Sequence, residues 1–333
     1  IKGGPLKVLT CNEKNDPDEA EKCAQQAVSE KVAAVVGSYS LAGDRYMPIL
    51  QKAGIPYLGG TGVSAAEFSN PLSFPVNGGT PAVFAAHGQQ LVEEGCKKIS
   101  GVRYDLAAAA IVSQFLTLGV TSAGGTPPKD LKVPVTSTDL APQVAAATKG
   151  SDCVSVILGT HSDLFVKSYV QSGAKTKLGS VVGNLTPELA ETTGGSGGPL
   201  EGAAITGYYP PTSDAVWNEF VEAAKGTDID TSNGANETTW VAFKVLTEAA
   251  KKLPTTSSKN LAEELNTTSG IDTGGLTPPL TWKASTALPI KGLNRIHNTT
   301  ATELTIRDGK VEWATEGSTF LDVRKMLTAT PAG

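Results

Sequence analysis

Three histidines, two methionines and four cysteines in 333 residues leave little material for metal or redox chemistry. His87, His161 and His297 are isolated from one another, and none has the spacing of a zinc pair or a serine neighbour to activate. Cys11, Cys23, Cys96 and Cys153 fit no zinc pattern and include no CxxC redox pair. No metal and no cofactor are therefore expected. No apolar run approaches the ~20 residues that a membrane helix requires. Basic residues are in deficit, 28 Lys and Arg against 33 Asp and Glu, and the net charge of −5 lacks the basic face a nucleic-acid partner would need. No signal peptide and no internal repeat are visible, so any export address is expected upstream of Ile1.

What is present is ordinary globular material. With 40% hydrophobic residues, the chain is long enough for two domains with separate cores, and 36 Gly and 20 Pro imply many tight turns. The even cysteine count suggests two disulfides and an oxidising compartment; four buried thiols are the alternative. The expected pairs are Cys11–Cys23 and Cys96–Cys153. Cys11 ends a strand and Cys23 lies on the core-facing side of the next helix, while Cys96 and Cys153 both stand at strand starts.

The stretch from Val32 to Phe68 organises the rest. Val32–Val36 is a continuous apolar run, read as a strand buried on both faces, and a Gly/Ser turn follows at Gly37–Ser40. A helix-length segment then closes at Gly54, and a second apolar run, Ile55–Leu58, ends in the turn Gly59–Ser64. This is a βαβ unit whose strands end in loops of small hydroxyl residues. Ligands of open parallel sheets bind at the carboxyl ends of the strands, which makes Ser40, Thr61, Gly62 and Ser64 the first site candidates.

Upstream, Leu6–Thr10 reads as a strand. Asp16 is a good N-cap, with Pro17 at the first helical position. From Pro81 the βα rhythm restarts, with Gly95, Gly119 and Gly173 read as helix stops. Strands over Lys97–Arg103, Cys153–Leu158 and Ser180–Gly183 bring Tyr104, Asp105, Thr160, His161 and Asn184 to strand ends. Asn298–Ile306 and Lys310–Trp313, split by Asp308-Gly309, read as an antiparallel hairpin.

The order of these pieces resembles the type I solute-binding proteins of ABC importers, specifically the leucine/isoleucine/valine-binding family. The resemblance rests on AVVGSYS, AGIPYLG and TGVSAAEF, with NDPDEAEKCAQQAV before them, PVNGGTPAVFAAHGQQL after them, and LTPPLTWK and RIHNTTATELTIRDGKVEW late in the chain. Family members normally carry a strand and helix ahead of the segment that matches Ile1–Thr10. The resemblance implies an α/β fold of two Rossmann-like, doubly wound lobes joined by a three-crossover hinge. The lobes are expected at residues 1–78 plus 212–278 and at 79–208 plus 283–333, with crossovers near 77–80, 208–211 and 277–281. It further implies an extracytoplasmic, monomeric protein, in the periplasm or as a cell-surface lipoprotein with its signal peptide removed. Such a protein closes on a small molecule and presents it to the membrane permease subunits.

Two motifs argue for other functions and fail on context. Gly60-Thr61-Gly62-Val63-Ser64-Ala65 matches GxGxxA, but no carboxylate follows at Phe74–Gly78, where a dinucleotide site would need one. Gly194–Gly198 matches GxSxG but lies in a Gly/Thr/Pro loop, without the strand and helix of a nucleophile elbow. The reading is therefore a binding protein and not an enzyme. A ligand sensor of the same fold is the alternative, and an α/β hydrolase or dehydrogenase is the competing class.

Roles remain open at several positions. Tyr104, Asp105 and Asn184 touch ligand or merely cap helices, His161 likewise, and Tyr208 lines the cleft or packs the hinge. In amino-acid-binding members, first-lobe hydroxyls hold the carboxylate and a second-lobe acid pairs the ammonium. Here Gly183-Asn184-Leu185 stands where that acid is expected. Asp105, and after it Asp163, could substitute from neighbouring strand ends; the expected ligand is a small carboxylate, an amino acid if Asp105 reaches it and a non-amino organic acid if it does not.

Overall fold

The computed structural model describes residues 5–37 and 39–329. The chain forms two units. Unit 1 comprises Ile1–Gly79, Glu222–Thr231 and Ala235–Thr299, and unit 2 comprises Thr80–Val221, Ser232–Gly234 and Thr300–Gly333.

Unit 1 begins with an extended segment, Leu6–Thr10, and helix α1 (Pro17–Ser29). Asp16 starts the helix by accepting from the Asp18 and Glu19 amides, and Pro17 supplies the preset first turn. Ala20 and Ala24 form its buried face and pack in one cluster with Tyr46, Met47 and Leu50. Then come β1 (Val35–Val36), α2 (Gly43–Ala53), β2 (Tyr57–Leu58), α3 (Ala65–Ser69) and β3 (Ser73–Phe74). The three strands are parallel in the order β1-β2-β3, with Val35 opposite Tyr57 and Tyr57 opposite Ser73. Gly54 ends α2 at φ +70°, a left-handed turn that costs glycine no Cβ clash.

Unit 2 carries α4 (Gly79–Glu93), β4 (Ile99–Tyr104), α5 (Ala107–Ser122), β5 (Lys129–Val133), α6 (Ala141–Thr148), β6 (Cys153–Ile157), α7 (Ser162–Ser172), β7 (Lys177–Val181), α8 (Pro187–Thr192) and β8 (Ala204–Gly207). Helix α9 (Asn218–Ala224) crosses the unit boundary. Helices α10 (Gly234–Lys252) and α11 (Ser258–Thr267) return to unit 1, and β9 (Thr300–Arg307), β10 (Lys310–Trp313), β11 (Leu321–Asp322) and α12 (Arg324–Thr328) complete unit 2. Its sheet runs β5-β4-β6-β7-β8 in parallel, then adds β9 antiparallel, with β10 and β11 paired to β9. The core beneath is built from Val102, Val154, Val156, Leu178 and Ile205 on the strands, against Phe165, Val166 and Tyr169 of α7.

The structure differs from the sequence reading at several points. Leu6–Thr10 has no ladder partner among the described residues. Gly119 does not stop α5, which continues to Ser122. It is small because α5 crosses α4 there: a Cβ on Gly119 would collide with the Ala85 carbonyl oxygen, and one on Gly88 with that of Leu116. Residues 212–221 lie in unit 2, where Trp217 donates to the Pro210 carbonyl at 2.9 Å and packs edge-on against Tyr209. Residues 283–299 lie in unit 1, where the Arg295 guanidinium donates to the Ser73 carbonyl at 2.8 Å and sits 4.8 Å from the Phe74 ring centre.

Both expected disulfides form, the first although the segment ahead of Cys11 makes no strand ladder among the described residues. Cys11 joins Cys23 and Cys96 joins Cys153, with Cα separations of 5.7 and 5.8 Å.

Candidate functional site

In unit 1 the candidate residues gather at the carboxyl ends of β1, β2 and β3. Past β1 the chain turns at Gly37 (φ +67°), where a Cβ would meet the Thr239 hydroxyl of α10 at 2.5 Å. Tyr39 and Thr61 then form a parallel bridge that extends the pairing beyond the strands. This bridge places the Ser40 and Thr61 loops side by side.

The hydroxyls in these loops have different occupations. Ser40 is buried; its Oγ donates to Glu13 at 2.8 Å and accepts from the Ala42 amide at 3.0 Å. Ser64 caps α3 in a reciprocal box, accepting from the Glu67 amide at 3.3 Å while its own amide and hydroxyl donate to the Glu67 carboxylate. Thr61 is 8% exposed, and its Oγ1 is buried with no hydrogen-bond partner. A buried hydroxyl left unpaired is destabilising, and a ligand oxygen would relieve that cost. Gly62 keeps the loop flat against Phe68, where a Cβ would lie 2.5 Å from the ring.

Sequence reasoning overlooked three residues here. Glu67, 1% exposed, gathers donors from Tyr46, Tyr57, Val63 and Ser64, and so fixes the loop that carries Thr61. Burial, with the neighbouring Tyr57 and Glu67, pushes the Tyr46 phenol far above its ordinary range. The Ser64-x-x-Glu67 spacing was the available signal. Asn77, at the end of β3, accepts from the Gly79 amide at 3.0 Å and reaches the Thr238 hydroxyl at 3.4 Å. Glu237 precedes Thr238 on α10; burial first, then the charge of Asp230, raises its carboxyl to about 8. Nothing in the local sequence marks Glu237 as buried, because α10 is read from its own periodicity alone.

In unit 2 the strand order reverses between β4 and β6, since β5 lies outside β4. Such switch points open a crevice at the carboxyl ends of the strands. Tyr104 ends β4 and His161 follows β6, and their rings meet edge to face with centroids 5.6 Å apart. The His161 Nδ1 is buried without a partner. Thr160 is exposed beside it. Asn184 is drawn into the same turn: its Oδ1 accepts from the Gly159 amide at 2.9 Å and the Ser162 hydroxyl at 3.3 Å. Asp105 points elsewhere, 3.4 Å from Lys132 Nζ with its side chain 59% exposed. Asp163 pairs with Lys167 at 3.2 Å. Tyr208 is buried apart from this group, with its ring centroid 6.1 Å from that of Tyr209.

Each unit thus offers neutral hydrogen-bonding groups at the ends of parallel strands covered by helices. Two such units define the class of the type I periplasmic binding protein fold. The chain belongs to the periplasmic binding protein family, whose family model matches residues 1–294. Among solved structures, it resembles a leucine binding protein, LivK, from Thermotoga maritima MSB8, with 20% identity, a TM-score of 0.75, and coverage of 96% of this chain and 89% of that one. It also resembles a solute binding protein of an ABC transporter from Rhodopseudomonas palustris BisB5 in complex with 3,4-dihydroxy benzoic acid, with 17% identity, a TM-score of 0.74, and coverage of 95% and 85%. A third, a solute binding protein from R. palustris in complex with benzoate, shows 16% identity, a TM-score of 0.74, and coverage of 96% and 87%. No curated protein matches the chain. No helix among the described residues is long and apolar enough to cross a membrane.

Proposed function

We propose that the protein is the extracytoplasmic solute-binding component of an ABC importer, and that its ligand is a small organic acid without an ammonium group. Family membership and the two solute-binding relatives that hold benzoate and 3,4-dihydroxy benzoic acid support the first half. The second half is carried by one observation: Asp105 is exposed and engaged by Lys132. The other unit 2 candidates are Tyr104, Thr160, His161, Asn184 and Tyr208, all without a carboxylate. A buried ammonium with no anionic partner costs several kcal/mol, whereas a carboxylate needs only donors. In unit 1 the Thr61 hydroxyl is such a donor, already dehydrated and unpaired. In unit 2 the Tyr104 and His161 rings present an apolar edge suited to a planar acid.

Calorimetry tests this directly. Benzoate, 4-hydroxybenzoate and the deaminated analogues of branched-chain amino acids are titrated beside leucine, isoleucine and valine, with wild type and Asp105→Asn. At least one organic acid is expected to bind, with the amino acids at least about tenfold weaker, a 1.4 kcal/mol difference, and Asp105→Asn is expected to change neither. Tight amino-acid binding would refute the ligand class, and its loss in Asp105→Asn would name the ammonium partner. Turnover of any of these compounds would move the protein into the enzyme class.

A further inference from the structure

A strained turn and a disulfide meet behind the unit 1 loops. The chain enters α1 through Glu13-Lys14-Asn15-Asp16, where the Asp16 amide donates to the Glu13 carbonyl at 2.8 Å. Both central residues are left-handed, Lys14 at φ +54° and Asn15 at φ +56°, the sign pattern of a type I′ turn. Asparagine tolerates that conformation, whereas a lysine there brings its Cβ too close to the following carbonyl oxygen. The turn lies inside the loop that Cys11 and Cys23 close over a sequence separation of 12.

The same turn reaches the site loops. Glu13 accepts from the Ser40 hydroxyl at 2.8 Å, and that hydroxyl accepts from the Ala42 amide at 3.0 Å. Beside Ser40, Tyr39 bridges in parallel to Thr61, whose own hydroxyl is buried and unpaired. Glu13 is thus a positioning residue, acting on the Thr61 turn through Ser40 and Tyr39. Upstream, Leu6–Thr10 makes no ladder bond among the described residues, so the disulfide is the covalent hold on that side of Glu13. The two disulfides also differ in access. Cys96 and Cys153 are each 4% exposed, while Cys11 is exposed and Cys23 half-buried.

We propose that the Cys11–Cys23 disulfide is a redox-controlled latch on the unit 1 loops: closed, it holds Glu13 against Ser40, and opened by a dithiol reductant, it lets the turn relax and the Ser40 and Thr61 loops loosen. Only its effect on binding rests on the reading of those loops as the ligand site. The step is thiol–disulfide exchange. A thiolate of the reductant attacks the accessible Cys11 sulfur, and Cys23 leaves as a thiolate that takes up a proton. The second thiolate of the reductant then attacks the reductant sulfur of the mixed disulfide, and Cys11 leaves and is protonated in turn. Two electrons pass from the dithiol, which ends as a disulfide, to the protein, which ends with two thiols. Opening the loop removes its restriction on the chain, and the left-handed Lys14 is then free to return to ordinary backbone.

The test is residue-resolved amide hydrogen exchange on the 333-residue chain, oxidised and after mild treatment with dithiothreitol, with alkylation and mass mapping to show which cysteines have opened. Cys11 and Cys23 are expected to alkylate first; Cys96 or Cys153 ahead of them overturns the proposal. Exchange is expected to quicken at least tenfold at Ala42 and at the Tyr39–Thr61 bridge, while the Tyr57 and Gly59 amides, bonded to Leu72 and Phe74, stay protected. The Cys11→Ser, Cys23→Ser double variant is expected to match the reduced chain. Glu13→Ala is expected to loosen the same amides with the disulfide intact, and to add nothing in the double variant. Glu13→Gln keeps an oxygen for Ser40 and is expected to keep the wild-type pattern. Unchanged exchange at Ala42 on reduction overturns the proposal. So does loss of protection at Tyr57 and Gly59 as well, which would make the disulfide a staple of the whole unit. Full additivity of Glu13→Ala with the double variant also overturns it, since the two would then act separately. Calorimetry with benzoate gives the consequence for binding: at least a tenfold loss is expected on reduction, and equal affinity overturns control of the site. Benzoate that fails to bind the oxidised chain counts against the proposed ligand class, and the exchange result still decides the latch.

Discussion

The Tyr46 phenol donates to the Glu67 carboxylate at 2.9 Å, and both side chains are buried. Five donors converge on this one acid, three of them from the Val63–Ser64 turn itself. Removing the acid leaves buried donors unpaired, so Glu67→Ala is expected to destabilise by about 3 kcal/mol, and Tyr46→Phe by about 1. Urea unfolding followed by circular dichroism measures both. Equal, small losses would mean that the turn holds its shape without the acid.

Two buried groups set opposite pH slopes. His87 is wholly buried between Thr206 and Ser155, and desolvation lowers it from 6.5 to about 3. Below pH 6.5 the unfolded chain takes up a proton that the folded one refuses, so stability falls as the pH drops from about 6.5 towards 3. Glu237 is raised from 4.5 to about 8, so it keeps its proton folded and loses it unfolded. Its contribution is complete below pH 4.5 and is lost as the pH rises towards about 8. Urea midpoints from pH 4 to 9 should show His87→Gln flattening the acid limb and Glu237→Gln the alkaline limb. Each slope is at most about 1.4 kcal/mol per pH unit for one proton. Unchanged limbs would mean that the two groups titrate alike in the folded and unfolded chains.

Gly119 and Gly88 let α5 cross α4 closely, and a methyl group at 119 would strike the Ala85 carbonyl. Gly119→Ala is expected to cost about 1–3 kcal/mol through forced separation of the helices, despite the better helix propensity of alanine. Gly124→Ala, with open space around it at φ +82°, serves as the contrast: strain without collision. A Gly119→Ala variant as stable as wild type would show that the helices separate freely.

What the sequence made legible follows from range. The βαβ unit at Val32–Phe68, the caps at Asp16 and Gly54, and the hairpin around Asp308-Gly309 depend on neighbours in sequence. Gly119 was misread because a glycine that ends a helix and one that admits a second helix look the same locally. Leu6–Thr10 has the pattern of a strand, but a strand exists only by pairing, and the segment makes no ladder bond among the described residues. Strand ends were legible as site positions, yet the occupation of each polar group was not. Whether Ser40 is engaged by Glu13, or Asp105 by Lys132, depends on residues 27 positions apart in both cases.

Thr61 gives the sharpest test of the unit 1 site. Its hydroxyl is buried and unpaired while other polar groups in the same turn are bonded. Thr61→Val keeps the shape, removes the orphaned donor, and should leave stability unchanged or raise it by about 1 kcal/mol. A purely structural threonine predicts nothing more. A threonine held ready for a carboxylate predicts that benzoate or another bound acid loses about tenfold in affinity, or 1.4 kcal/mol. Ser64→Ala should instead lower stability by about 1 kcal/mol through loss of the cap, whatever it does to binding. Denaturant unfolding and calorimetry on the same preparations separate the two hydroxyls. Unchanged affinity in Thr61→Val, with a ligand that wild type binds, would remove this turn from the site.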